Sequence, residues 1–465
     1  MIYRKNVKKW RLRKNRNGLC EDNPSSAHDP GLNLHYMRRF FYPLAFLMLF
    51  FAVSCSDTCQ QTVSYTYYEP IYQTTEEVRS ALNFSPVARE INNPGRLYFK
   101  DGYMYINEAG EGIHVVDNRN PVAPQNIGFI NIPGNFDLAA KGNYLYADSY
   151  VDLVVLDISN PTQVTLVNRV ESVFGDYGAW AGRWNPEEQV ILTGYNETWV
   201  EDEEVDIDCD GGVGNWWGPR GWFRLETGDA VAFSNSGTPV PTSSGAGVGG
   251  SMARFTIYDD FLYTVDWSDM RLFDLSNATA PEKTERISLG WGIETIYPYG
   301  DKLFLGAQNG MHIYDNSNPA SPEWMSTYEH INSCDPVVVQ DDFAFVTLRS
   351  GNFCEGFTNQ LDVVDISDLR NPTLHQTYPM QNPHGLGVDE NCLFITEGSF
   401  GMKFMDITDI DNLTLVDQLD DIHTLDVIAL NDVLMVIGED GFYQYTYNCE
   451  TKEWAFLSTI QIVRL

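Results

Sequence analysis

The chain has little positive charge. Its 465 residues include 30 Lys and Arg against 64 Asp and Glu, which gives a formal net charge of −34. Because like charges repel, such a surface disfavours polyanionic partners, namely nucleic acids and anionic lipid headgroups. Solvated carboxylates are the usual cause of an acidic excess, so the charge does not by itself indicate a cationic ligand. We therefore expect no nucleic-acid partner.

Catalytic motifs are also missing. The sequence contains no G-x-S-x-G, no H-E-x-x-H and no phosphate-binding loop. The histidines beyond residue 54 show no metal-ligand spacing; they are His114, His312, His330, His375, His384 and His423. Nothing singles out a pair of glycosidase carboxylates among the many acids. The sequence therefore favours a protein that is not an enzyme, with no cofactor expected.

Long apolar runs are absent too. The most apolar stretch, FFYPLAFLMLFFAV at 40–53, is too short to cross a bilayer as a helix. It follows Arg38 and Arg39 and ends at Ser54-Cys55, which is the order of a secretory signal. The AVSC ending resembles a bacterial lipobox, so we predict a lipoprotein signal peptide at 37–54 with Cys55 as the acylated residue. The alternative is plain secretion with cleavage nearby.

The polar, basic residues 1–36 are predicted to be an extension before this signal, from a mis-assigned start codon or as a long n-region. Residues 1–54 hold 10 of the 30 basic and 3 of the 64 acidic residues, so the mature chain carries about −41. Residues 55–85 are rich in Thr, Tyr, Gln and Ser and are predicted to be a tether.

Cysteine is scarce, and no C-x-x-C occurs, so the sequence gives neither a thioredoxin-like nor a zinc-ribbon signal. Six cysteines follow Cys55: Cys59, Cys209, Cys334, Cys354, Cys392 and Cys449. In an oxidising envelope this even number permits disulfides, although the sequence alone leaves all pairings open. Cys334 and Cys354 are the first candidates for a pair, and most of the thiols are otherwise expected to be buried.

An apolar strand that ends in an aspartate and turn residues recurs along the chain. It reads GIHVVDNRNP at 112–121, DLVVLDISNP at 152–161, GMHIYDNSNP at 310–319 and QLDVVDISDLRNP at 360–372. Weaker copies lie at 270–281 and 401–412, and the aspartates are Asp117, Asp157, Asp274, Asp315, Asp365 and Asp406. Several spacings of 40 or 41 residues indicate a structural repeat. We predict that each aspartate makes the turn by accepting a hydrogen bond from the backbone N–H two residues later.

A polar hairpin turn and an aromatic-rich strand precede each copy, as in LYFKDGYMYI and LAAKGNYLYA. With the strand that follows the aspartate, each repeat offers four antiparallel strands, the content of one β-propeller blade. Clear units begin near residues 96, 137, 254, 295, 336, 385 and 426, and a degraded eighth is predicted at 178–210. We expect an all-β propeller of about eight, alternatively seven, four-stranded blades over 86–465. The stretch ALNFSPVAREI at 81–91 is predicted to complete the last blade.

The segments LVVLDISNP, LDVVDISDLRNP and IHVVDNRNP resemble the LVIVD repeat, over roughly residues 96–460 except for an insertion. Proteins with this repeat are often secreted or lipid-anchored bacterial β-propellers without an assigned activity. The resemblance therefore implies a fold and a location in the cell envelope, but no chemistry.

The insertion, at about 206–250 after the third predicted unit, carries Trp216, Trp217, Arg220 and Trp222 among glycines. Such rings can stack on a sugar or bind an apolar side chain of a partner, or they can pack down and anchor the insertion. The Ser/Gly-rich residues 243–250 are predicted to be a flexible return.

The insertion opens with Asp206, Asp208 and Asp210, a weak candidate for binding Ca²⁺ through hard oxygen ligands. A calcium loop of the EF-hand type would need a glutamate at its twelfth position, where this chain has Trp217. The alternative is a solvated acidic loop.

Polar residues are expected around the axis of the propeller, because the first strand of each blade lines it. Aligning the hairpins places these residues at one level: Arg96, Asp137, Arg254, Thr295, Pro336, Gly385 and Asp426. One residue earlier come Glu294, Asp335 and His384. Such charges can bind a small polar ligand, or they can satisfy one another around trapped water.

The sequence thus favours a binding or scaffold module for an envelope protein or a glycan. We expect a lipoprotein of the outer membrane of a gram-negative bacterium, attached to the membrane through its lipid only. The alternative is a carbohydrate-active or other hydrolytic enzyme with its site at the mouth of the propeller.

Overall fold

The computed structural model describes residues 58–174, 183–208, 245–330, 336–350 and 358–462. The predicted extension, the signal peptide with Cys55, the insertion tryptophans, Arg220, Asp210 and Asp335 lie outside this part of the chain, as do Cys334 and Cys354. Nearly all of the regular secondary structure in the described residues is β-strand, and their one helix is the short α1 (Thr75–Ser80). Within them, no helix has the length and apolarity needed to cross a membrane.

The chain forms two compact units. The first comprises residues 1–71 and 194–229, and its described part holds most of two long strands, β1 (Thr58–Thr74) and β12 (Val190–Asp208). These strands are neighbours in a three-stranded sheet of order β1-β12-β11, where β11 is Trp184–Asn185. The predicted tether therefore contains a strand and a helix.

The second unit, residues 72–193 and 230–465, holds seven repeated sheets. The first three sheets contain β3 (Pro94–Lys100), β4 (Tyr103–Glu108), β5 (Gly112–Asp117) and β6 (Gln125–Asn131); β7 (Leu138–Lys141), β8 (Tyr144–Ser149), β9 (Asp152–Asp157) and β10 (Thr165–Val170); and β14 (Phe255–Tyr258), β15 (Phe261–Val265), β16 (Asp269–Asp274) and β17 (Glu282–Ser288).

The remaining four sheets contain β18 (Ile293–Tyr299), β19 (Lys302–Ala307), β20 (Gly310–Asp315) and β21 (Glu323–Glu329); β22 (Val337–Gln340), β23 (Phe343–Leu348), β24 (Gln360–Asp365) and β25 (Thr373–Pro379); β26 (Leu386–Asp389), β27 (Cys392–Thr396), β28 (Met402–Asp406) and β29 (Thr414–Leu419); and β30 (Thr424–Leu430), β31 (Val433–Gly438), β32 (Gly441–Asn448) and β33 (Glu453–Gln461). In every sheet consecutive strands pair antiparallel.

The prediction of an eighth unit at 178–210 is wrong. The described part of this segment supplies β11 and β12 to the three-stranded sheet rather than a four-stranded one. The described residues thus contain seven repeated sheets, the alternative count, and the insertion follows the second of them. A long strand such as VILTGYNETWV satisfies the pattern of one repeat strand, but it lacks the neighbours that would complete a sheet.

Two short strands extend the first sheet to six strands. β2 (Asn83–Ser85) pairs with β6 at the outer edge, and β13 (Val248–Gly249) pairs with β3 at the inner edge. The prediction that 81–91 completes the last blade is therefore wrong, since the last sheet forms all four of its strands from β30 to β33. The prediction of a flexible return at 243–250 is wrong for residues 247–250: Gly247 is half-buried, residues 248–250 are buried, and the stretch is bonded to neighbouring backbone.

The recurring aspartates make turns, as predicted. Each carboxylate accepts a hydrogen bond of 2.7 to 3.2 Å from the backbone N–H two residues later; the donors are Arg119, Ser159, Ser276, Ser317, Ser367 and Thr408. The N–H of the residue after each aspartate donates to a carbonyl in the hairpin turn between the first two strands of the same sheet. We call this side of the second unit, with its six aspartates, the Asp-turn end.

The fourth strand of every repeated sheet contains an irregularity at the same register. The pairing between third and fourth strands shifts near the residue that precedes the recurring aspartate, as between Val115 and Val116 or between Val363 and Val364. Such bulges twist an edge strand and discourage pairing with another chain. The repeat thus protects each of these outer edges in the same way.

Neighbouring sheets pack through apolar faces. The first strands of successive sheets contact one another in the order β3, β7, β14, β18, β22, β26 and β30, and β30 contacts β3. Met104 and Ile106 of the first sheet share an apolar cluster with Ile428 and Met435 of the last. The architecture is β-propeller-like, as predicted.

A disulfide joins the sixth and seventh sheets. It links Cys392 at the start of β27 to Cys449 just after β32, at the Asp-turn end. Sequence analysis left this pair open among the many possible pairings. The last sheet has Thr446 where the others have aspartate, and its turn is tied covalently to the neighbouring sheet.

Candidate functional site

The opposite side of the second unit brings charged residues together where the first strands begin. We call it the loop face: it contains the starts of the first strands, the ends of the second strands, and the loops that precede the former and follow the latter. Arg96, Asp137, Arg254, Glu294 and Asp426 all lie here and interact electrostatically. These five residues, which the repeat alignment places at or next to one level of the first strands, are thus near enough for their charges to interact.

The deepest members of the cluster are Arg96, Asp137 and Asp426, all of them buried. Arg96 Nε lies 3.6 Å from Asp137 Oδ2, and the backbone N–H of Arg254 donates to the same carboxylate. Asp426 Oδ1 accepts from the N–H of Val427 at 2.7 Å. Burial lowers the pKa of Arg96 to about 10, so the guanidinium remains charged at neutral pH.

Three further members are partly accessible to solvent: Arg254, Glu294 and Arg349. Burial raises the pKa of Glu294, while a hydrogen bond from Gln308 and the charges of Arg254, Arg349 and Arg96 act in the opposite direction. Gln308 Nε2 donates to Glu294 Oε1 at 3.3 Å. A carboxylate thus faces guanidinium groups in a setting that water reaches.

His384 contacts this layer through Arg349. The Nη1 atom of Arg349 lies 2.8 Å from His384 Nδ1 and 2.9 Å from Nε2, and Asn382 Nδ2 lies 3.0 Å from Nε2. Burial, with the charges of Arg349 and His423, holds the pKa of His384 well below its usual range. The ring is therefore neutral at physiological pH.

The end of the insertion packs directly against the deep charges. At Gly250 a side chain would clash, because a Cβ there would lie 2.1 Å from Asp426 Oδ2. The N–H of Gly250 donates to the carbonyl of Leu97, and that of Gly247 donates to Ala140. The glycines of this segment therefore serve close approach rather than flexibility.

Other carboxylates of the loop face support the loops themselves. Glu108 accepts from the N–H groups of Asn92 and Asn93 and lies 2.9 Å from His114 Nε2. Glu397 accepts from the N–H of Gln381 and pairs with Lys403 at 2.6 Å. These buried side chains satisfy backbone donors, so their role is structural.

Asp148 is a related case with an unusual acidity. Its Oδ1 accepts from Asn135 Nδ2 and from the N–H groups of Phe136 and Asp137, at 2.8, 2.8 and 3.0 Å. Burial nevertheless raises its pKa to about 7. The group holds the strand start that carries Asp137 in the cluster.

The loop face also holds a pair of tryptophans, one exposed and one half-buried. Trp267 and Trp291 meet edge to face, with ring centroids 5.1 Å apart, and Trp291 is 66% exposed. The carbonyl of Trp267 accepts from the N–H groups of Gly292 and Ile293 at 2.9 and 3.1 Å. Gly290 and Gly292 adopt left-handed conformations, with φ of 104° and 82°, which shape this loop.

The loop that carries Trp267 is fixed from within. Asp266 Oδ1 accepts from the N–H groups of Ser268 and Asp269 at 3.1 and 3.0 Å, and its Oδ2 pairs with the buried Arg271. Its own N–H donates to the carbonyl of Asp269. The two indoles are therefore presented in a defined arrangement.

Several predicted site residues are not tested by this arrangement. Asp206 and Asp208 lie in β12, but their side chains, like Asp210, fall outside the description. Among the described residues, no group of three or more His, Cys, Asp or Glu side chains is arranged to hold a metal ion. Pro336 and Gly385, which were predicted at the same level of the first strands, are uncharged, and Thr295 at that level is buried.

Sequence reasoning missed Arg349, Gln308, Trp267 and Trp291. Arg349 and Gln308 follow directly on the second strand of their sheets, and Trp267 holds the equivalent position, one residue further on because β15 ends at Val265. Elsewhere this position is occupied by Ala109, Tyr150, Gly398 and Glu439. A comparison of the repeats at that position would have found them as departures from a common pattern. Trp291 had a weaker signal, an aromatic residue between two glycines.

Comparisons with known proteins agree with the repeat. The LVIVD repeat model matches residues 136–172, 296–330 and 333–379, which correspond to the second, fourth and fifth repeated sheets. No curated protein matches the chain.

Solved structures resemble the architecture at low identity. A crystal structure of a protein from Lactobacillus plantarum is similar at 11% identity and a TM-score of 0.52, over 80% of this chain and 97% of that one. The computationally designed protein Ika8 has 9% identity and a TM-score of 0.46, over 81% and 90% of the two chains. Saccharomyces cerevisiae Sqt1 has 8% identity and 0.46, over 81% and 87%. Likeness at this level of identity concerns the fold alone. Together, the comparisons show that the chain carries LVIVD repeats at three stretches and has a β-propeller-like fold.

Proposed function

We propose that the protein is a binding module whose ligand docks on the loop face. The observation that carries this proposal is the exposed Trp291, in edge-to-face contact with the half-buried Trp267, on the same face as the partly accessible Arg254, Glu294 and Arg349. Loops on a rigid scaffold commonly carry function. Concave sites that combine aromatic surface with a few convergent polar groups are typical of ligand binding.

The preformed geometry of the tryptophan loop supports this reading. Leaving an indole in water forgoes the stabilisation that its burial would provide. Here the exposed ring of Trp291 lies between two glycines in left-handed conformations, and its loop is bonded through the carbonyl of Trp267 to the loop that the Asp266 hydrogen bonds hold. A binding surface of this kind loses little conformational entropy when its ligand arrives.

The charges of the cluster support binding. Glu294 faces Arg254, Arg349 and Arg96, and Asp137 faces Arg96, so each carboxylate is held near cations. The cluster is therefore proposed to orient a ligand through hydrogen bonds.

A panel of chemically distinct small ligands tests the proposal. Oligosaccharides, peptidoglycan fragments and short peptides are added to the wild-type chain and to Trp291→Ala, and melting temperature is recorded. We expect at least one class to raise the melting temperature of the wild type by ligand linkage, with little effect on the variant. Chromatography of the recovered ligand must show it unchanged; conversion to product would support the enzyme alternative instead.

We also propose that the module is held in the cell envelope by a lipid on Cys55. The AVSC ending of the signal supports this, and the Cys392–Cys449 disulfide suits an oxidising compartment. Cells grown with a palmitate analogue should label the protein, and Cys55→Ala should remove the label and release the chain. A mature N-terminus at any other residue would contradict the anchor.

A further inference from the structure

The geometry points to an uncharged saccharide as the ligand of the loop face, stacked on Trp291 and hydrogen-bonded through its hydroxyls to Arg254, Glu294 and Arg349. This inference rests on the proposed function and names its ligand class. It follows from the shape of the aromatic pair, the distance to the charged residues and the balance of charge.

The aromatic pair forms a corner. The ring planes of Trp267 and Trp291 are perpendicular, so the edge of one ring borders the face of the other. A pyranose ring presents one side of C–H groups, which matches the apolar face of an indole, and a rim of hydroxyls that stays polar. Trp324, at 61% exposed, is a contrasting case on the outer strand β21, where its Nε1 donates to Thr327 Oγ1.

The corner connects to the charged cluster over a short distance. Trp291 and Glu294 are three residues apart, so their Cα atoms are at most about 11 Å apart. Between them, Gly292 lies against the side chain of Gln308, and Gln308 donates to Glu294. A saccharide of a few units that stacks on Trp291 can therefore extend its hydroxyls to the charged layer.

The described charges of the cluster balance. Arg96, Arg254 and Arg349 stand against Asp137, Glu294 and Asp426, and the pKa of His384 keeps that ring neutral. Of the partly accessible members, Glu294 would face an anionic ligand on a chain of net charge −34, and Arg254 and Arg349 would face a cationic one. A hydroxyl both donates and accepts, so it pairs with a carboxylate and a guanidinium at once.

An apolar peptide side chain fits this surface less well. Burying such a side chain requires apolar walls around it, as at the centre of protein interfaces. Beyond the two indoles, the neighbours are Gly292, Gln308 and the charged residues. The surroundings suit a ligand with one apolar face and polar groups everywhere else.

The test is a titration of the full mature chain, followed by tryptophan fluorescence and calorimetry. The neutral probes are cellohexaose, maltohexaose, xylohexaose, mannohexaose and N-acetylchitohexaose. The charged probes are hexagalacturonate and chitosan hexamer, and neutral tripeptides form a third arm. We expect saturable binding of at least one neutral probe, weakened at least tenfold in Trp291→Ala and in Glu294→Gln. Trp324→Ala, a matched exposed tryptophan, should bind as the wild type does.

The outcomes separate this inference from the proposed function. If tripeptides or a charged probe bind through Trp291 and neutral probes do not, the binding module stands and the saccharide is wrong. If no probe binds the folded wild type, the saccharide is also wrong. If a neutral probe binds and neither Trp291→Ala nor Glu294→Gln weakens its binding, the ligand docks away from the loop face. That result would overturn both the saccharide inference and the proposed function.

Discussion

The Asp-turn end and the loop face belong to the same seven sheets but differ in how they use the repeat. At the Asp-turn end, six aspartates make the same hydrogen bond to the backbone N–H two residues later. At the loop face, equivalent positions after the second strands hold Trp267, Gln308 and Arg349, among other side chains. The Asp-turn end thus has the same side chain and hydrogen bond in six sheets, whereas the loop face has different side chains at equivalent positions.

This difference is what we expect if the loop face is the side that binds the proposed ligand. Side chains that recur in every sheet do what every sheet needs, namely a turn, a bulge or a packed face. Side chains that differ between sheets cannot be explained by that shared need. The loop face also contains structural residues such as Glu108. Variants of buried and of exposed side chains therefore separate residues that stabilise the loops from residues that bind a ligand.

The largest expected effect concerns buried support at the loop face. Glu108→Ala leaves His114 and the N–H groups of Asn92 and Asn93 without their partner, so we expect a loss of about 3–5 kcal/mol of unfolding free energy. Denaturant titration measures it. The matched control is Glu111→Ala, which breaks an exposed pair with Arg89 and should cost about 0–1 kcal/mol. Equal losses would show that Glu108 does not support the loop.

The next effect concerns the covalent link at the Asp-turn end. The double variant Cys392→Ser with Cys449→Ser should lose about 2–4 kcal/mol of unfolding free energy, because the unfolded chain gains freedom. Denaturant midpoints with and without reductant check this. Reductant should lower the denaturant midpoint of the wild type toward that of the variant and leave the midpoint of the variant unchanged. A variant as stable as the wild type would show that the disulfide does not stabilise the fold.

The pH dependence of stability tests the support role of Asp148. Its pKa in the folded state, about 7, lies above the ordinary value for an aspartate. Its bound proton therefore stabilises the folded protein at acidic pH, and this contribution is lost as pH rises toward and through 7. Relative to Asp148→Asn, the wild type should lose roughly 1 kcal/mol of unfolding free energy between pH 5 and pH 6. Parallel pH curves would contradict the raised pKa.

The smallest effect concerns a single turn. Asp315→Ala removes the hydrogen bond to the N–H of Ser317 and the contact with Lys302, so we expect a loss of about 1 kcal/mol. Asp315→Asn keeps a side-chain oxygen and should recover about half of that loss. A much larger loss would mean that this turn contributes more than one local hydrogen bond.

Much of the fold could be predicted from the sequence because the repeat is local. An apolar run, an aspartate and a turn lie within ten residues, and the hydrogen bond that the Ser159 N–H donates to Asp157 was expected from them. The eighth unit was wrong because one matching strand does not determine its partners. The course of 81–91 was wrong for the same reason: pairing of β2 with β6 depends on residues distant in sequence.

The candidate site was predicted in part. Arg96, Asp137, Arg254, Glu294 and Asp426 were found because they occupy one register of the first strands. Arg349 and His384 meet across two sheets, at 2.8 Å, which spacing along the chain does not reveal. Cys392 and Cys449 are likewise 57 residues apart and meet only through the packing of neighbouring sheets.

The unfolding free energy of Trp291→Ala shows directly whether this tryptophan of the loop face binds a ligand, as proposed, rather than stabilising the fold. Because the ring is exposed, the variant should stay within about 0.5 kcal/mol of the wild type in denaturant titration. Under the same conditions it should fail to bind the ligand that the wild type binds. A loss of about 3–5 kcal/mol, as for a buried aromatic side chain, would make Trp291 part of the core and contradict the account.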